Sequence, residues 1–326
     1  MKRSLLTAAL VVLYACGGSP HASEEKYFLI ASNIKVPYWQ EAGAGLRKAA
    51  QQLQVRAEMT GPDTYDPKQQ QAELQRVVKL KPSGIMVSPG DPKLLKDDID
   101  AAIASGIPVI TIDSDAAASK RLLFIGTNNY QAGLMGGRTA AREMHGKGNV
   151  VVFITAGQAN LEERLKGYRE AFESSPQIKI VEVVDIHGDP RVAFDRTMEI
   201  ITKGKPPTDA FVSMEGMSAK EVAEVVDRKK AKGKTIVAMD TVAGTLEGIE
   251  KGLIAATIAQ KAFTMAFYGL KILDDLHHHK PESLDRFWQQ EAQSPIPTLV
   301  DTGATLVDKN NLARFRRASD ATLSGN

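Results

Sequence analysis

Cysteine is almost absent from this chain, which has a single cysteine, Cys16, in 326 residues. One cysteine cannot form an internal disulfide, although small exported proteins often depend on such crosslinks. The fold must therefore be held by the burial of apolar side chains, and 43% of the residues are hydrophobic. A chain of this length and composition can bury a sizeable core, most naturally in two domains.

A strong excess of charge of either sign is also missing. The chain carries 41 Lys and Arg against 39 Asp and Glu. Two of the basic residues, Lys2 and Arg3, lie at the extreme N-terminus, and without them the balance is 39 to 39. Nucleic-acid-binding surfaces need a clustered basic excess. The sequence therefore predicts no nucleic-acid partner.

Long hydrophobic runs are lacking as well. The apolar run over residues 5–14 follows Lys2 and Arg3 and is about ten residues long, which is too short to span a bilayer. A positive start followed by a short apolar run is typical of a signal peptide. No later stretch is long enough for a transmembrane helix, so we expect an exported protein.

The end of this leader carries the single cysteine. Cys16 is followed by residues 17–20 (GGSP), and the segment resembles the lipobox of bacterial lipoproteins, in which the cysteine is lipidated and becomes the first residue. The resemblance implies a signal peptide over residues 1–15 and a membrane contact only through the lipid on Cys16. Tyr14 departs from the pattern, since a small residue is usual there. The alternative is an ordinary secreted protein that is cleaved elsewhere.

Short apolar strands alternate with amphipathic helices from residue 26 onwards. The pattern predicts strands over residues 27–32, 55–60, 84–88, 107–112, 150–155, 178–184, 210–213 and 235–239. It predicts helices from residue 39 and over residues 67–80, 92–105, 161–172, 192–202 and 218–229. Such alternation indicates parallel sheets with right-handed crossovers. We therefore predict an α/β fold with two doubly wound lobes, followed by a frayed tail over residues 314–326.

Two of the predicted strands end in an aspartate, one in each half of the chain. Residues 109–112 (VITI) lead into Asp113, and residues 235–239 (TIVAM) lead into Asp240. Ligands of open α/β sheets bind beyond the carboxyl ends of the strands. The pair suggests a ligand held between two lobes, although either residue also fits a turn or a helix N-cap.

Three segments carry a resemblance to a known family. Residues 31–39 (ASNIKVPYW), 106–113 (GIPVITID) and 253–260 (LIAATIAQ) resemble periplasmic sugar-binding proteins of the ribose-binding type, and the similarity runs from about residue 27 to about 312. The resemblance implies the type I periplasmic binding protein fold, with three hinge strands between the lobes. The N-terminal lobe would comprise residues 27–127 plus 260–301, and the C-terminal lobe residues 128–259 plus 302–313. The protein is expected to act as a monomer in the periplasm or cell envelope. Its expected function is to bind a sugar or polyol and deliver it to an ABC-type membrane importer.

The resemblance also implies a set of ligand-binding residues. Flat aromatic rings suit the apolar C–H faces of a sugar, carboxylates accept hydrogen bonds from vicinal hydroxyls, and an arginine donates several. The predicted site comprises Ser32, Tyr38, Trp39, Asp113, Ser114, Asn160, Arg164, Asp189, Glu215, Asp240 and Gln260. The alternatives left open are a core position for Trp39 and a solvated helix face for Asn160 and Arg164, which are four residues apart.

Three positions depart from the family pattern. Val36 and Glu215 stand where asparagine is common, and Ser114 stands where arginine is common. These changes remove donors and add an acceptor. They favour a donor-rich ligand other than ribose.

Other features predict no further chemistry. Residues 277–279 (three histidines) are expected in a solvated loop, and Gly133, Gly136 and Gly137 lack the spacing of a dinucleotide fingerprint. Met214, Met217 and Met239 are expected to pack in the core. We therefore predict no catalytic residue, metal or cofactor. A ligand-sensing receptor subunit for chemotaxis or a sensor kinase remains an alternative, whereas a lactose-repressor-type regulator would need a DNA-binding segment where this chain has its leader.

Overall fold

The computed structural model describes residues 24–324, with side chains up to residue 319, so the predicted signal peptide and Cys16 lie outside the described residues. One sheet contains β1 (Lys26–Ile30), β2 (Arg56–Thr60), β3 (Gly84–Val87), β4 (Val109–Ile112), β5 (Phe124–Gly126) and β11 (Leu299–Asp301). The other contains β6 (Lys147–Ile154), β7 (Gln177–Asp185), β8 (Ala210–Ser213), β9 (Thr235–Met239), β10 (Ala256–Ala259) and β12 (Thr305–Asp308).

The helices cover both faces of these sheets. They are α1 (Pro37–Leu53), α2 (Pro67–Lys79), α3 (Pro92–Ala104), α4 (Asn129–Glu143), α5 (Ala159–Glu173), α6 (Pro190–Lys203), α7 (Ser218–Arg228), α8 (Ala243–Glu250), α9 (Ala262–His278) and α10 (Leu312–Ser324). Among the helices that the structure describes, none has both the length and the apolar character needed to cross a bilayer.

The two sheets repeat one strand order. The first runs β11-β5-β4-β3-β1-β2 and the second β12-β10-β9-β8-β6-β7. The strand pairs are parallel except for β10 with β12, which is antiparallel. In each sheet the second strand lies on one side of the first (β1 or β6), and the following strands are added on its other side. This switch in strand order creates the crevice where doubly wound folds bind ligands. The predicted fold class is confirmed.

Burial follows from this layering. Strands β3, β4 and β8 are buried at every residue because helices cover both faces of the sheet. The edge strand β7 instead alternates, and its Val181 and Val183 are exposed. The first sheet has its own apolar core, and two further clusters lie on the two faces of the second sheet.

The chain passes between the sheets three times. It leaves β5 of the first sheet at Gly126 and enters α4, which packs on the second sheet. It returns between β10 and α9, which packs in the core of the first sheet, and crosses again between β11 and β12. Residues 127–128, 260–261 and 302–304 are therefore the segments that connect the two halves.

Local signals explain several helix ends. Asp66 and Asp91 accept hydrogen bonds from the first backbone N–H groups of α2 and α3, as N-cap residues do. Gly106 follows α3 with a φ of 86°, a conformation that glycine adopts without strain. These caps account for the good agreement between the predicted and observed limits of both helices.

Several segments differ from the sequence-based expectation. Helices α4, α8 and α9 and strands β5, β10, β11 and β12 have no counterpart among the elements predicted from periodicity. The tail is not frayed from residue 314, because α10 extends to Ser324 and Phe315 packs against the second lobe's core. The histidine run is not a solvated loop either, since His277 and His278 form the last turn of α9.

Glycines let neighbouring helices approach closely. A Cβ built on Gly133 of α4 would lie 2.1 Å from the backbone oxygen of Arg164 in α5, and one on Gly136 would lie 2.1 Å from the Tyr168 hydroxyl. The same close approach joins α1 to α9 at Gly45. The glycines of α4 therefore have a packing role.

We expect Gly45→Ala to lower the free energy of unfolding by about 2–3 kcal/mol, because its methyl group would lie 2.1 Å from the backbone oxygen of Phe263. The control is Gly43→Ala in the same helix, whose methyl group meets the flexible end of Met59 at 3.2 Å. That variant should change the free energy by no more than about 0.5 kcal/mol. Urea denaturation measures both, and equal losses would contradict this account of the helix contact.

Candidate functional site

A cavity of about 110 Å³, lined by both charged and apolar side chains, lies between the two sheets at the carboxyl ends of their strands. Both halves of the chain contribute to its wall. It is lined by Ser32, Asn33, Val36, Pro37, Tyr38, Trp39, Tyr65, Asp113, Thr155, Gln158, Asn160, Leu161, Arg164, Gly188, Glu215, Gly216, Met217, Asp240, Val242 and Gln260.

The two strand-ending aspartates occupy matching positions in the two halves. Asp113 has a φ of 64° and Asp240 a φ of 62°, the left-handed region that aspartate enters more readily than most residues. The backbone N–H of Asp113 donates to Ile125 at 3.1 Å, and that of Asp240 donates to Ile258 at 2.9 Å. Each bond reaches the neighbouring strand. Both carboxylates are therefore turned out of their sheets by the same local geometry.

The Asp113 carboxylate receives donors from both halves of the chain. The Tyr38 hydroxyl donates to its Oδ1 at 2.8 Å, and the Asn160 amide donates to its Oδ2 at 3.2 Å. Ser88 Oγ lies 3.4 Å from the same Oδ2. Burial raises the pKa of Asp113, while the nearby Arg164 and these donors act in the opposite direction. The bond from Asn160 joins the two lobes directly.

Arg164 is a buried cation held by neutral acceptors. Its side chain is 2% exposed, and it donates to Asn129 Oδ1 at 2.9 Å, to the Met214 backbone oxygen at 2.8 Å and to Gln260 Oε1 at 2.8 Å. No hydrogen bond in the described residues joins it to an acid. Its charge nevertheless lowers the pKa values of three acids that line the cavity, Asp113, Glu215 and Asp240, against the upward effect of burial.

Asp240 completes this network in the second half. Gln260 accepts from Arg164 and donates through Nε2 to Asp240 Oδ1 at 2.8 Å. Burial raises the pKa of Asp240 to about 7, and the negative charges of Asp113 and Glu215 raise it further. Arg164 and the hydrogen bond from Gln260 act in the opposite direction. The carboxyl group can therefore change protonation near neutral pH and can accept or donate a hydrogen bond.

Glu215 lines the cavity but is mostly used by the protein itself. Its Oε2 accepts from the Met217 backbone N–H at 2.6 Å, and its Oε1 accepts from the Ser218 backbone N–H at 2.9 Å and from the Ser218 hydroxyl. Burial raises its pKa. The acid therefore caps the start of α7, and it is a weaker acceptor for a ligand than the sequence suggested.

Aromatic side chains form one side of the cavity. Tyr38 and Trp39 meet edge to face, with ring centroids 5.2 Å apart. Trp39 is 3% exposed and belongs to the core while also lining the cavity, so both interpretations of this residue apply. The Tyr65 hydroxyl donates to the Gly90 backbone oxygen at 2.9 Å. Tyr65 also packs against Gly188 of the other half, where a Cβ built on the glycine would lie 2.5 Å from the Cβ of Tyr65.

Nine of the eleven residues predicted for the site line the cavity, and two do not. Ser114 is buried beside Asp113, and its Oγ has no hydrogen-bond partner among the described residues. Asp189 is partly exposed, where it caps α6 and pairs with Arg191 at 2.7 Å. Ser114 does not reach the cavity wall because it follows the left-handed turn at Asp113, which turns that aspartate towards the cavity. Asp189 does not line the cavity, and its carboxylate accepts from the first turn of its own helix.

Sequence reasoning missed several residues that shape the site. Tyr65, Gln158 and Thr155 line the cavity from loops, and Asn129 holds Arg164 from the first turn of α4. Loop positions carry no periodic signal, and α4 itself was not predicted. A separate group of metal-ligating side chains, Glu25, Asp274 and His278, lies outside this cavity.

Comparisons with known proteins agree with this architecture. A family model described as the periplasmic binding protein domain matches residues 27–281. The structure of an arabinose-binding protein from Geobacillus stearothermophilus is 32% identical with a TM-score of 0.74, over 90% of this chain and 99% of that chain. The sugar-binding protein of a sugar ABC transporter from Bacillus halodurans is 32% identical with a TM-score of 0.78, over 89% and 100% of the two chains. The ribose import binding protein of Bacillus subtilis (strain 168) is 22% identical over 293 residues, which is 85% of this chain and 92% of that protein.

The repeated doubly wound sheets and the cavity between them define a two-lobed ligand-binding protein. The family model covers well over half of the residues. The chain belongs to the periplasmic binding protein family, and the predicted resemblance is confirmed.

The raised pKa of Asp240 predicts a pH dependence of stability. An acid whose pKa is higher in the folded state stabilises the fold at low pH, and this contribution is lost as the pH rises through about 7. For the ligand-free protein we expect the free energy of unfolding to fall between roughly pH 4 and pH 7, by about 1.4 kcal/mol per pH unit at most, and to level off above roughly pH 8. Denaturant titrations at several pH values measure this. Asp240→Asn should flatten the profile, and an unchanged slope in that variant would contradict the assignment.

Proposed function

We propose that this protein captures a monosaccharide or polyol between its two lobes and delivers it to an ABC-type membrane importer. The observation that carries the proposal is the cavity at the strand ends, which is lined by Asp113 from one half of the chain and by Asp240 and the buried Arg164 from the other. Carboxylates and a guanidinium bind hydroxyl groups with charge-assisted hydrogen bonds, which are stronger than neutral ones. The aromatic wall at Tyr38 and Trp39 suits the apolar faces of a sugar ring.

The size and polarity of the cavity support a small ligand. On the same measure of volume, a site for one water needs about 10–15 Å³, and this cavity has about 110 Å³. A single sugar ring or small polyol fits this range, whereas an oligosaccharide does not. Buried polar groups also penalise a ligand that leaves them unpaired, which provides selectivity.

Ligand capture is proposed to work by hinge closure. Residues 127–128, 260–261 and 302–304 connect the sheets and would act as the hinge between lobes comprising residues 27–127 plus 260–301 and residues 128–259 plus 302–313. The bond from Asn160 to Asp113 and the contact of Tyr65 with Gly188 both join the lobes. Ligand would favour the closed form through the contacts that it makes with both lobes at once.

The named relatives support the role in import, and the leader supports the location. The relatives in Bacillus species are named as a ribose import binding protein and as a sugar-binding protein of an ABC transporter. We propose that the chain acts as a monomer outside the cytoplasm, without catalysing a reaction, and is held at the membrane by a lipid on Cys16.

A thermal-shift screen over pentoses, hexoses and polyols tests the sugar assignment, and we expect at least one compound to stabilise the protein. With that ligand, calorimetry should give at least a tenfold loss of affinity for Asp240→Asn, because a neutral amide replaces the carboxylate acceptor and the charge-assisted hydrogen bond is lost. The control is Asp189→Asn, which retains helix capping and lies outside the cavity. Equal affinities of the two variants would refute the role of Asp240, and a screen without any stabilising compound would refute sugar binding.

Replacement of the leader cysteine tests the lipid anchor. We expect the wild-type protein to sediment with membranes and Cys16→Ser to become soluble, because serine cannot carry the thioether-linked lipid. Fractionation followed by immunoblotting measures the distribution. A wild-type protein that is already soluble would overturn the anchoring proposal and leave the binding function untouched.

A further inference from the structure

A cluster of metal-ligating side chains lies at the amino end of β1, away from the cavity. Glu25 immediately precedes this strand, while Asp274 and His278 lie one turn apart near the end of α9. Ser32, which lines the cavity, follows the opposite end of the same strand. The cluster is therefore independent of the site for the proposed ligand.

The three donor atoms have the spacing of ligands around one ion. His278 Nε2 lies 3.1 Å from Glu25 Oε2 and 3.7 Å from Asp274 Oδ1. One possible ligand atom from each of the three residues lies within 4.8 Å of the other two. A tetrahedral zinc ion with metal–ligand distances of about 2.1 Å separates its ligand atoms by about 3.4 Å. The two measured distances to the histidine bracket that value.

The surroundings of the cluster also resemble those of a metal site. The side chains of Glu25 and Asp274 are only 9% and 8% exposed, so two carboxylates share a space that is largely shielded from water. A divalent cation would offset this concentration of negative charge. Tyr27 is fully buried and its hydroxyl donates to Asp274 Oδ1 at 2.9 Å. Such a bond to a ligating carboxylate is the usual outer-shell support of a metal ligand.

We propose that Glu25, Asp274 and His278 bind a divalent transition-metal ion, with zinc as the best fit. One imidazole nitrogen and two carboxylate oxygens suit zinc, whereas calcium prefers six to eight oxygen ligands. The ion would join the segment before β1 to the last turn of α9 and would stabilise the folded state, because the unfolded chain does not hold these ligands together.

The adjacent histidine provides a matched control. His279 pairs with Asp275 at 3.0 Å through the same four-residue spacing, but both side chains are more than 70% exposed. Within the described residues, that pair is not joined by a third ligand. A His279→Ala variant therefore removes a neighbouring histidine and leaves the proposed site intact.

The test uses the untagged protein, stripped of metal by a chelator and then titrated with zinc chloride. We expect calorimetry to show one zinc ion bound with micromolar or better affinity, and thermal unfolding to shift upwards by several degrees at a hundredfold excess over the dissociation constant. His278→Ala and Glu25→Gln should each weaken binding at least tenfold, whereas His279→Ala should bind as wild type does. Cobalt substitution should give visible absorption bands in wild type that His278→Ala lacks.

The outcomes separate the proposal from its alternatives. Absence of zinc binding by the wild-type protein would overturn it and leave His278 as a hydrogen-bond partner of Glu25. Equal binding by His278→Ala and His279→Ala would overturn the assignment of the site. Circular dichroism checks that each variant is folded. If His278→Ala does not fold, Glu25→Gln provides the decisive comparison with His279→Ala.

Discussion

The buried guanidinium of Arg164 is the interaction on which the rest of the site depends. It connects α4, β8 and the crossing after β10 through Asn129, Met214 and Gln260. Its acceptors are neutral, so its positive charge is not cancelled by a direct ion pair among the described residues. The charge instead opposes the rise in pKa that burial causes in Asp113, Glu215 and Asp240. Without this cation, the burial of several carboxylates in one small cavity would carry a large desolvation penalty.

The second constraint is the repetition of one architecture. Each sheet brings the carboxyl ends of its parallel strands to the same edge, and each places an aspartate there in the left-handed conformation. The two halves thus present acceptors from opposite walls, while the hinge crossings lie at the same edge. Non-glycine residues held in this conformation cost energy and cluster at functional sites. The two-lobed architecture therefore consists of two sheets with the same strand order, each of which contributes one aspartate to the cavity between them.

Much of the fold was predictable because its signals are local. The strands β3, β4, β8 and β9 are short, β-branched and apolar, and the caps Asp66 and Gly106 mark helix ends. Helix α4 was not predicted, because its glycines resemble a loop until α5 packs against them. Most of the residues predicted for the site line the cavity, since the strand ends and the family motifs point to the same edge. The helix-capping hydrogen bonds of Glu215 and Asp189 were not predicted, because they depend on how each carboxylate meets the backbone of its own helix.

The sequence by itself determined the alternation of strands and helices, the two strand-ending aspartates and the family to which the chain belongs. These features depend on residue type and spacing over short stretches of chain. The tertiary structure alone decided which donors reach each carboxylate, which acids are raised in pKa by burial, and that Glu25 meets His278 across about 250 residues of sequence. The physical reason is that hydrogen bonding, desolvation and ligand geometry depend on distances between residues far apart in the chain, and these distances exist only after the chain has folded.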